Sequence, residues 1–283
     1  MKKLQITITE AKMNHYFTYL KEQERSLKTI QKYERDLHVL LQFLPNQTID
    51  KEKLILWKES LTKQYSPSTV NSMLTSINGF LSYYGFQECR VKPLKIQKML
   101  FYPEEKELTK EEYIRLIHIA HEENKIQTAL ILQTLCSTGI RISELQFITV
   151  ECVKSGRTIV SSKGKHRIVF LPKKLQQLLL AYIDNHQKTS GPVFTSNRGN
   201  PLDRSNIWRN MKNLCEKAHV PPKKVYPHNL RHLFARTYYD SEKDISRLAD
   251  ILGHSNVSTT KIYTMESGMV HAKQIDNLDL VIS

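Results

Sequence analysis

The chain has 283 residues, 40% hydrophobic and 25% charged, which excludes a disordered chain or a small stapled domain and leaves one large or two ordinary domains. Its 42 lysines and arginines against 28 acids leave a formal charge of +14, which favours a polyanionic partner, nucleic acid before anionic membrane. No apolar run approaches the ~20 residues that span a bilayer, and the N-terminal MKKLQITITEAKMNHYF lacks the apolar core of a signal peptide. The four cysteines, Cys89, Cys136, Cys152 and Cys215, form no C-x-x-C pair and read as reduced thiols of a cytoplasmic protein.

Residues 1 to 90 read as a helical domain. Met13, Tyr16, Phe17 and Leu20 recur at helical spacing, as do Ile30, Tyr33, Leu37, Leu40, Leu41 and Leu44. Leu54, Trp57 and Leu61 make a shorter stripe. Val70, Met73, Leu74, Ile77, Leu81 and Tyr84 make the clearest one, opened by Ser66 as N-cap and Pro67 at the first helical position and stopped by Gly85. Residues 91 to 106 read as a basic, extended linker. Its Lys92, Lys95 and Lys98 either sit in solvent or follow a phosphate backbone.

Residues 107 to 283 read as a second domain. Thr109 and Glu112 predict a capping box, and QTALILQTLCSTG predicts a buried helix closed by Gly139. RTIVSS and HRIVFLP predict two strands joined by a three-residue turn, Lys163-Gly164-Lys165. KKLQQLLLAYIDNH predicts a helix, GPVF a short strand and NRGNPL a turn. Four more helices are expected to start near Asp203, His228, Asp244 and Asn256, followed by a polar–apolar tail.

Several residues in this second part carry chemistry. On a helix, His228, Arg231 and His232 share a face. An arginine is seldom fully buried unless paired, and its fork of donors fits two phosphate oxygens. The imidazoles exchange protons near neutrality. A metal site at His228 and His232 needs a further ligand that the sequence does not nominate, so no metal is expected. TGIRISEL brings Arg141 in from another element, with Glu144 one turn on as a surface partner or an orienting group. Lys163 and Lys165 are rivals for a reach from the hairpin tip. In LGHSNVSTTKIYT, His254 stands at a joint behind Gly253, and Tyr263 follows. A phenol titrates near ~10 and needs a base or positive charge beside it to act as a nucleophile at neutral pH.

Arg141, Lys163, His228, Arg231, His254 and Tyr263, in this order and within the motifs TGIRISEL, SKGKHRIVFLP, HNLRH and LGHSNVSTTKIYT, resemble the tyrosine recombinase (phage integrase) family, in its simple two-domain, Xer-like form. The resemblance implies a mainly α fold with a small antiparallel β-sheet. An N-terminal α-helical, SAM-like core-binding domain would precede a catalytic domain ending in an oligomerisation tail. It implies that Tyr263 attacks a phosphate to leave a 3′-phosphotyrosyl link, and that Arg141, Arg231 and His254 hold its oxygens. It further implies that His228 moves the tyrosine's proton, that Lys163 protonates the leaving 5′-oxygen, and that Glu144 orients its neighbours. His232 is given a packing role. No cofactor is implied.

The implied partners are a double-stranded DNA recombination site and, on it, a homotetramer, with room for an accessory DNA-bending factor and a place at the nucleoid. Lys92, Lys95, Lys98 and Lys165 are the expected DNA contacts. Two rivals share the features in part. A type IB topoisomerase-like enzyme has the same covalent chemistry without strand exchange. A helix-turn-helix regulator explains the charge and the two helices around Gly253 but not Arg141 and Lys163.

Overall fold

The computed structural model describes residues 5–44, 46–96, 104–162, 165–196, 198–254, 256–263 and 276–278. The chain divides into two compact units, Met1–Lys98 and Met99–Ser283.

The first unit is built on α1 (Glu10–Glu22), α2 (Leu27–Phe43), α3 (Lys51–Thr62) and α4 (Pro67–Tyr83). Each starts where a short polar side chain satisfies an otherwise orphaned backbone N–H: Thr9, Ser26, Asp50 and Ser66. Most of the apolar stripes turn inward, with Leu37, Leu40, Leu54, Trp57, Leu74, Ile77 and Leu81 among the most buried side chains. One feature was not anticipated. β1 (Ile6–Thr7) pairs antiparallel with β2 (Thr48–Ile49), and two residues a side are too few for an alternating pattern to be read.

The basic segment after α4 is laid on this unit for part of its length. Asn78 exchanges two hydrogen bonds with the Val91 backbone (2.9 and 3.1 Å), and Asn71 does the same with Leu94 (2.9 and 2.7 Å). The asparagines lie two helical turns apart on α4, so they fasten the strap along one line. From α3, Lys51 donates to the Arg90 carbonyl and Lys58 to that of Lys92. Lys92 and Lys95 are left exposed, whereas Lys98 lies outside the described residues.

The second unit begins with α5 (Lys110–Glu122), which has the expected capping box between Thr109 and Glu112. α6 (Ile126–Thr138) runs through its core, with Ala129, Leu132 and Leu135 fully enclosed. A 3-10 turn, Ile142–Phe147, and α7 (Val150–Ser155) lead to a hairpin of β3 (Arg157–Ser162) and β4 (Lys165–Phe170). The helices α8 (Lys173–Asn185), α9 (Arg204–Lys212), α10 (Pro227–Glu242) and α11 (Ile245–Leu252) follow. The architecture is mainly α with small antiparallel sheets, as expected.

Three local expectations are corrected, and one short element is added. Lys165 pairs with Ser162, so it belongs to β4 and the connection is two residues, not three; those two, Lys163 and Gly164, lie outside the described residues. GPVF is no strand. Pro192 has no N–H to enter a ladder, and the segment makes only an isolated bridge to Thr149. α7 went unread because six residues are too short to show a helical period. Finally, no α-helix starts at Asn256. Its side chain caps Ser258 instead, and the chain runs through two 3-10 turns, Val257–Thr259 and Lys261–Tyr263.

The C-terminal tail after Tyr263 lies largely outside the described residues. Among the described residues no helix is long and apolar enough to cross a membrane. All four cysteines are free thiols.

Candidate active site

Five of the six residues singled out as catalytic meet in the second unit. An open cleft of about 490 Å³ is walled by Arg141, His228, Arg231, His254 and Tyr263, with Ser258, Thr259 and Ile262 completing the rim. Lys163 lies outside the described residues, and of Lys165 only its backbone position in β4 is described. A larger cleft of about 620 Å³ opens near Lys125 and Lys188. There Gln127 donates to the Tyr182 hydroxyl and Lys188 to Thr195.

Arg231 is the anchor. It projects from the first turns of α10 and is only 2% exposed. Its Nη1 donates to the Gly139 carbonyl at 2.5 Å, and its Nη2 donates to the Leu252 carbonyl at 2.6 Å. These carbonyls close α6 and α11, where a helix leaves acceptors unfilled and favours positive charge. Burial, with Arg141 nearby, lowers its ordinary value of 12.5 to about 10, which leaves it charged at neutral pH. Gly139 also admits the Phe234 ring beside its own carbonyl. Its φ is +62°, and a Cβ there would stand 2.4 Å from a Phe234 ring carbon.

Arg231 also sets the state of His254. Its Nη2 lies 3.1 Å from His254 Nε2, and a guanidinium has no acceptor, so Nε2 must accept. The proton therefore rests on Nδ1, which donates to Thr260 Oγ1 at 2.9 Å. The imidazole is neutral. Burial and the charges of Arg231, Arg141 and Arg167 lower its pKa to about 4.

Arg141 opens the 3-10 turn and keeps a 36% exposed side chain toward the cleft. Its Nη1 donates to Glu144 Oε1 at 3.0 Å and its backbone N–H to Oε2 at 2.8 Å. Glu144 is no surface partner but is 2% exposed. Burial pushes its carboxyl up, and hydrogen bonds from Arg167 and from the Arg141 backbone outweigh that and hold it at about 2.

Tyr263 closes the cleft and is 3% exposed. Its ring meets His232 edge-on at 4.3 Å between centroids, lies nearly parallel to His254 at 5.8 Å and stands 6.2 Å from His228. Ala235, Leu248 and Leu252 back it with an apolar wall. Burial, then the neighbouring cations, lowers the pKa of His228, which keeps it an acceptor at neutral pH. His232 is buried and falls to about 3, first through burial and then through His228 and Arg231. Its packing role against Tyr263 agrees with the sequence reading.

These groups make the unit labile to acid. The unfolded chain protonates His232 near pH ~6.5, but the folded chain does not until about 3, so between those values the unfolded state binds the extra proton. Stability is therefore full above the unfolded value and falls as pH drops. From pH 7.5 to 5, His232 alone is expected to remove about 2 kcal/mol. Glu144 adds a loss of the same sign below its unfolded value. A urea midpoint that stays flat from pH 7.5 to 5 contradicts this.

Sequence reading missed Arg167 and Thr260. Arg167 donates to both Glu144 oxygens, at 2.9 and 2.7 Å, from the inner face of β4. In RIVFL the apolar run is continuous, so no alternation marked Arg167 as inward. Among the described residues no group of three or more metal-ligating side chains occurs.

A phenol ringed by two guanidinium and three imidazole groups is suited to holding a phosphate and exchanging one of its ester oxygens for the tyrosine's. This is the chemistry of a tyrosine-dependent DNA strand-transfer enzyme, carried here on a two-unit helical fold. The phage integrase family profile matches residues 106–268, and the phage integrase N-terminal SAM-like profile matches residues 13–84. The tyrosine recombinase XerA of Pyrococcus furiosus is 29% identical over 287 residues, covering 96% of this chain and 97% of the relative. A crystal structure of XerA recombinase superposes with a TM-score of 0.54 at 25% identity, over 97% of this chain and 100% of that one. A lambda integrase dimer bound to a COC′ core site shares the fold, with a TM-score of 0.73 at 16% identity over 92% of this chain and 77% of that one. The chain belongs to the phage integrase family of tyrosine recombinases, enzymes that cleave and rejoin DNA.

Proposed function

We propose that the protein is a site-specific DNA recombinase whose nucleophile is Tyr263. The observation that carries this reading is the gathering of Arg141, His228, Arg231 and His254 around that phenol in one cleft. Arg141 and Arg231 hold the non-bridging oxygens of the scissile phosphate, their charge placed where the transition state turns negative. His228, kept neutral by its surroundings, takes the phenol proton as Tyr263 Oη bonds to phosphorus. The bond to the 5′-oxygen breaks, Lys163 supplies its proton, and a 3′-phosphotyrosyl link remains. No bond energy is lost to water, so a second 5′-hydroxyl reverses the step without a nucleotide cofactor. His254 becomes a donor to the phosphate once an incoming anion draws Arg231 away and favours a proton on Nε2.

Residues 1–90 act as the core-binding domain, 91–106 as the basic link and 107–283 as the catalytic domain with its tail. The +14 balance supports grip on a duplex, and the exposed Lys92 and Lys95 fit backbone contacts, with Lys98 and Lys165 assigned the same role. The working assembly is a tetramer on two DNA sites, which accommodates an accessory DNA-bending factor at the nucleoid.

The test is to trap the protein on DNA, sequence what is attached, and place two copies of that sequence on one supercoiled plasmid. Deletion or inversion between the copies is expected. Relaxation without exchange assigns a topoisomerase instead. A protein that binds but never attaches is a regulator.

A further inference from the structure

Glu144 has every oxygen lone pair it needs filled by two arginines. Arg141 supplies Nη1 and its backbone N–H, and Arg167 supplies Nη1 and Nη2. The third guanidinium nitrogen of Arg167 is also engaged. This Nε gives a 3.0 Å hydrogen bond to the Ile251 carbonyl near the end of α11. The adjacent Leu252 carbonyl is taken by Arg231. Two arginines from different elements therefore hold successive carbonyls of the helix that delivers His254.

The path of Arg167 is built into the backbone. Gly253 has φ +66°, and a Cβ there would come within 2.8 Å of Arg167 Cδ. The glycine thus both ends α11 and lets the guanidinium stem cross the joint. On the other side, β4 places Arg167 opposite Val160, in line with the buried Val169 and Leu171. Its side chain is 10% exposed, so few of these bonds compete with water.

We infer that Arg167 is a positioning residue of the strand-transfer reaction, fixing Arg141 through Glu144 and His254 through the end of α11, so that the two phosphate-holding groups keep one relative placement. It reaches no reacting atom itself. All three guanidinium nitrogens are engaged: Nη1 and Nη2 form a planar fork for the carboxylate, and Nε is a side donor for the carbonyl. A lysine carries the same charge but cannot serve both carboxylate oxygens and Ile251 together. The inference rests on the recombinase reading above, and its test separates the two.

The experiment compares wild type, Arg167→Lys, Glu144→Gln and the double variant on a nicked DNA substrate carrying the trapped sequence. Single-turnover attachment rate, DNA affinity and urea midpoint are measured for each. Arg167→Lys is expected to lower the attachment rate about 100-fold, the scale of a misplacement near 1 Å, with DNA affinity within about threefold of wild type. Because both substitutions break one unit, the double variant is expected to be no slower than the slower single by more than about threefold. A folded Arg167→Lys protein that attaches within threefold of wild type overturns the inference. If the lysine variant does not fold, Glu144→Gln keeps the shape of the carboxylate and decides in its place by the same rate criterion. Fully additive losses, or losses in affinity equal to those in rate, also overturn it. A wild type that never attaches to DNA defeats the recombinase reading itself.

Discussion

Tyr263→Phe is expected to lose the covalent protein–DNA adduct while it still folds and binds its site. The substitution removes one oxygen and leaves the ring. That ring is what packs against His232 and His254 and against the wall of Ala235, Leu248 and Leu252, so unfolding free energy should change by no more than about 1 kcal/mol. The cleft lined by Arg141, Arg231 and His228 then holds no tyrosine hydroxyl. The attachment rate should fall by at least about 10⁴-fold, the scale seen when a nucleophile is deleted from a site whose other groups remain. A nicked substrate on a denaturing gel, beside a native gel for binding, reads both quantities. A phenylalanine protein that still attaches places the nucleophile elsewhere and ends the mechanism proposed here.

Arg231 should respond on both axes at once. Its guanidinium fills the Gly139 and Leu252 carbonyls and contacts His254, so Arg231→Ala strands two buried acceptors. The expected loss of stability is about 2–5 kcal/mol, read from the urea midpoint. Attachment to nicked DNA should fall about 10³-fold, since a charge aimed at the phosphate is lost along with the tie on His254. Arg231→Lys separates the two roles. A single ammonium can reach one carbonyl and return part of the stability, but it cannot span both helix ends and face the cleft. An alanine variant that attaches within tenfold of wild type would remove Arg231 from the phosphate-holding set.

What could be read along the chain is what periodicity and short-range chemistry encode. The helices of the first unit, each twelve or more residues long, repeat their apolar residues every three or four positions, and each begins at a capping side chain. Their existence and inward faces were therefore legible. The elements missed are short or lack a period: β1, β2 and α7. The stretch to Tyr263 was expected as a helix because Gly253 marks the end of one helix and Asn256 can cap the next; Asn256 does cap Ser258, but the chain continues in 3-10 turns.

For the site, residue type marked Arg141, His228, Arg231, His254 and Tyr263 as groups able to hold a phosphate or exchange protons, and their order within motifs that resemble the tyrosine recombinase family joined them into one candidate set. Whether Glu144 lay on the surface or inside was undecidable, since its second arginine arrives from β4, 23 positions away. The same holds for the hydrogen bonds of Arg231, whose acceptors are backbone carbonyls 92 and 21 positions distant and leave no mark on residue identity.

The sequence alone thus determined the inventory: helices, caps, a basic balance and a set of groups able to hold and attack a phosphate. The tertiary structure decided how they are coupled. It set the protonation of His254, buried Glu144 between two guanidinium groups, and joined β4 to the end of α11 through Arg167. Periodicity and capping act within a few residues of one another. A hydrogen-bond network closes only when distant segments pack, and burial then gives those bonds their strength.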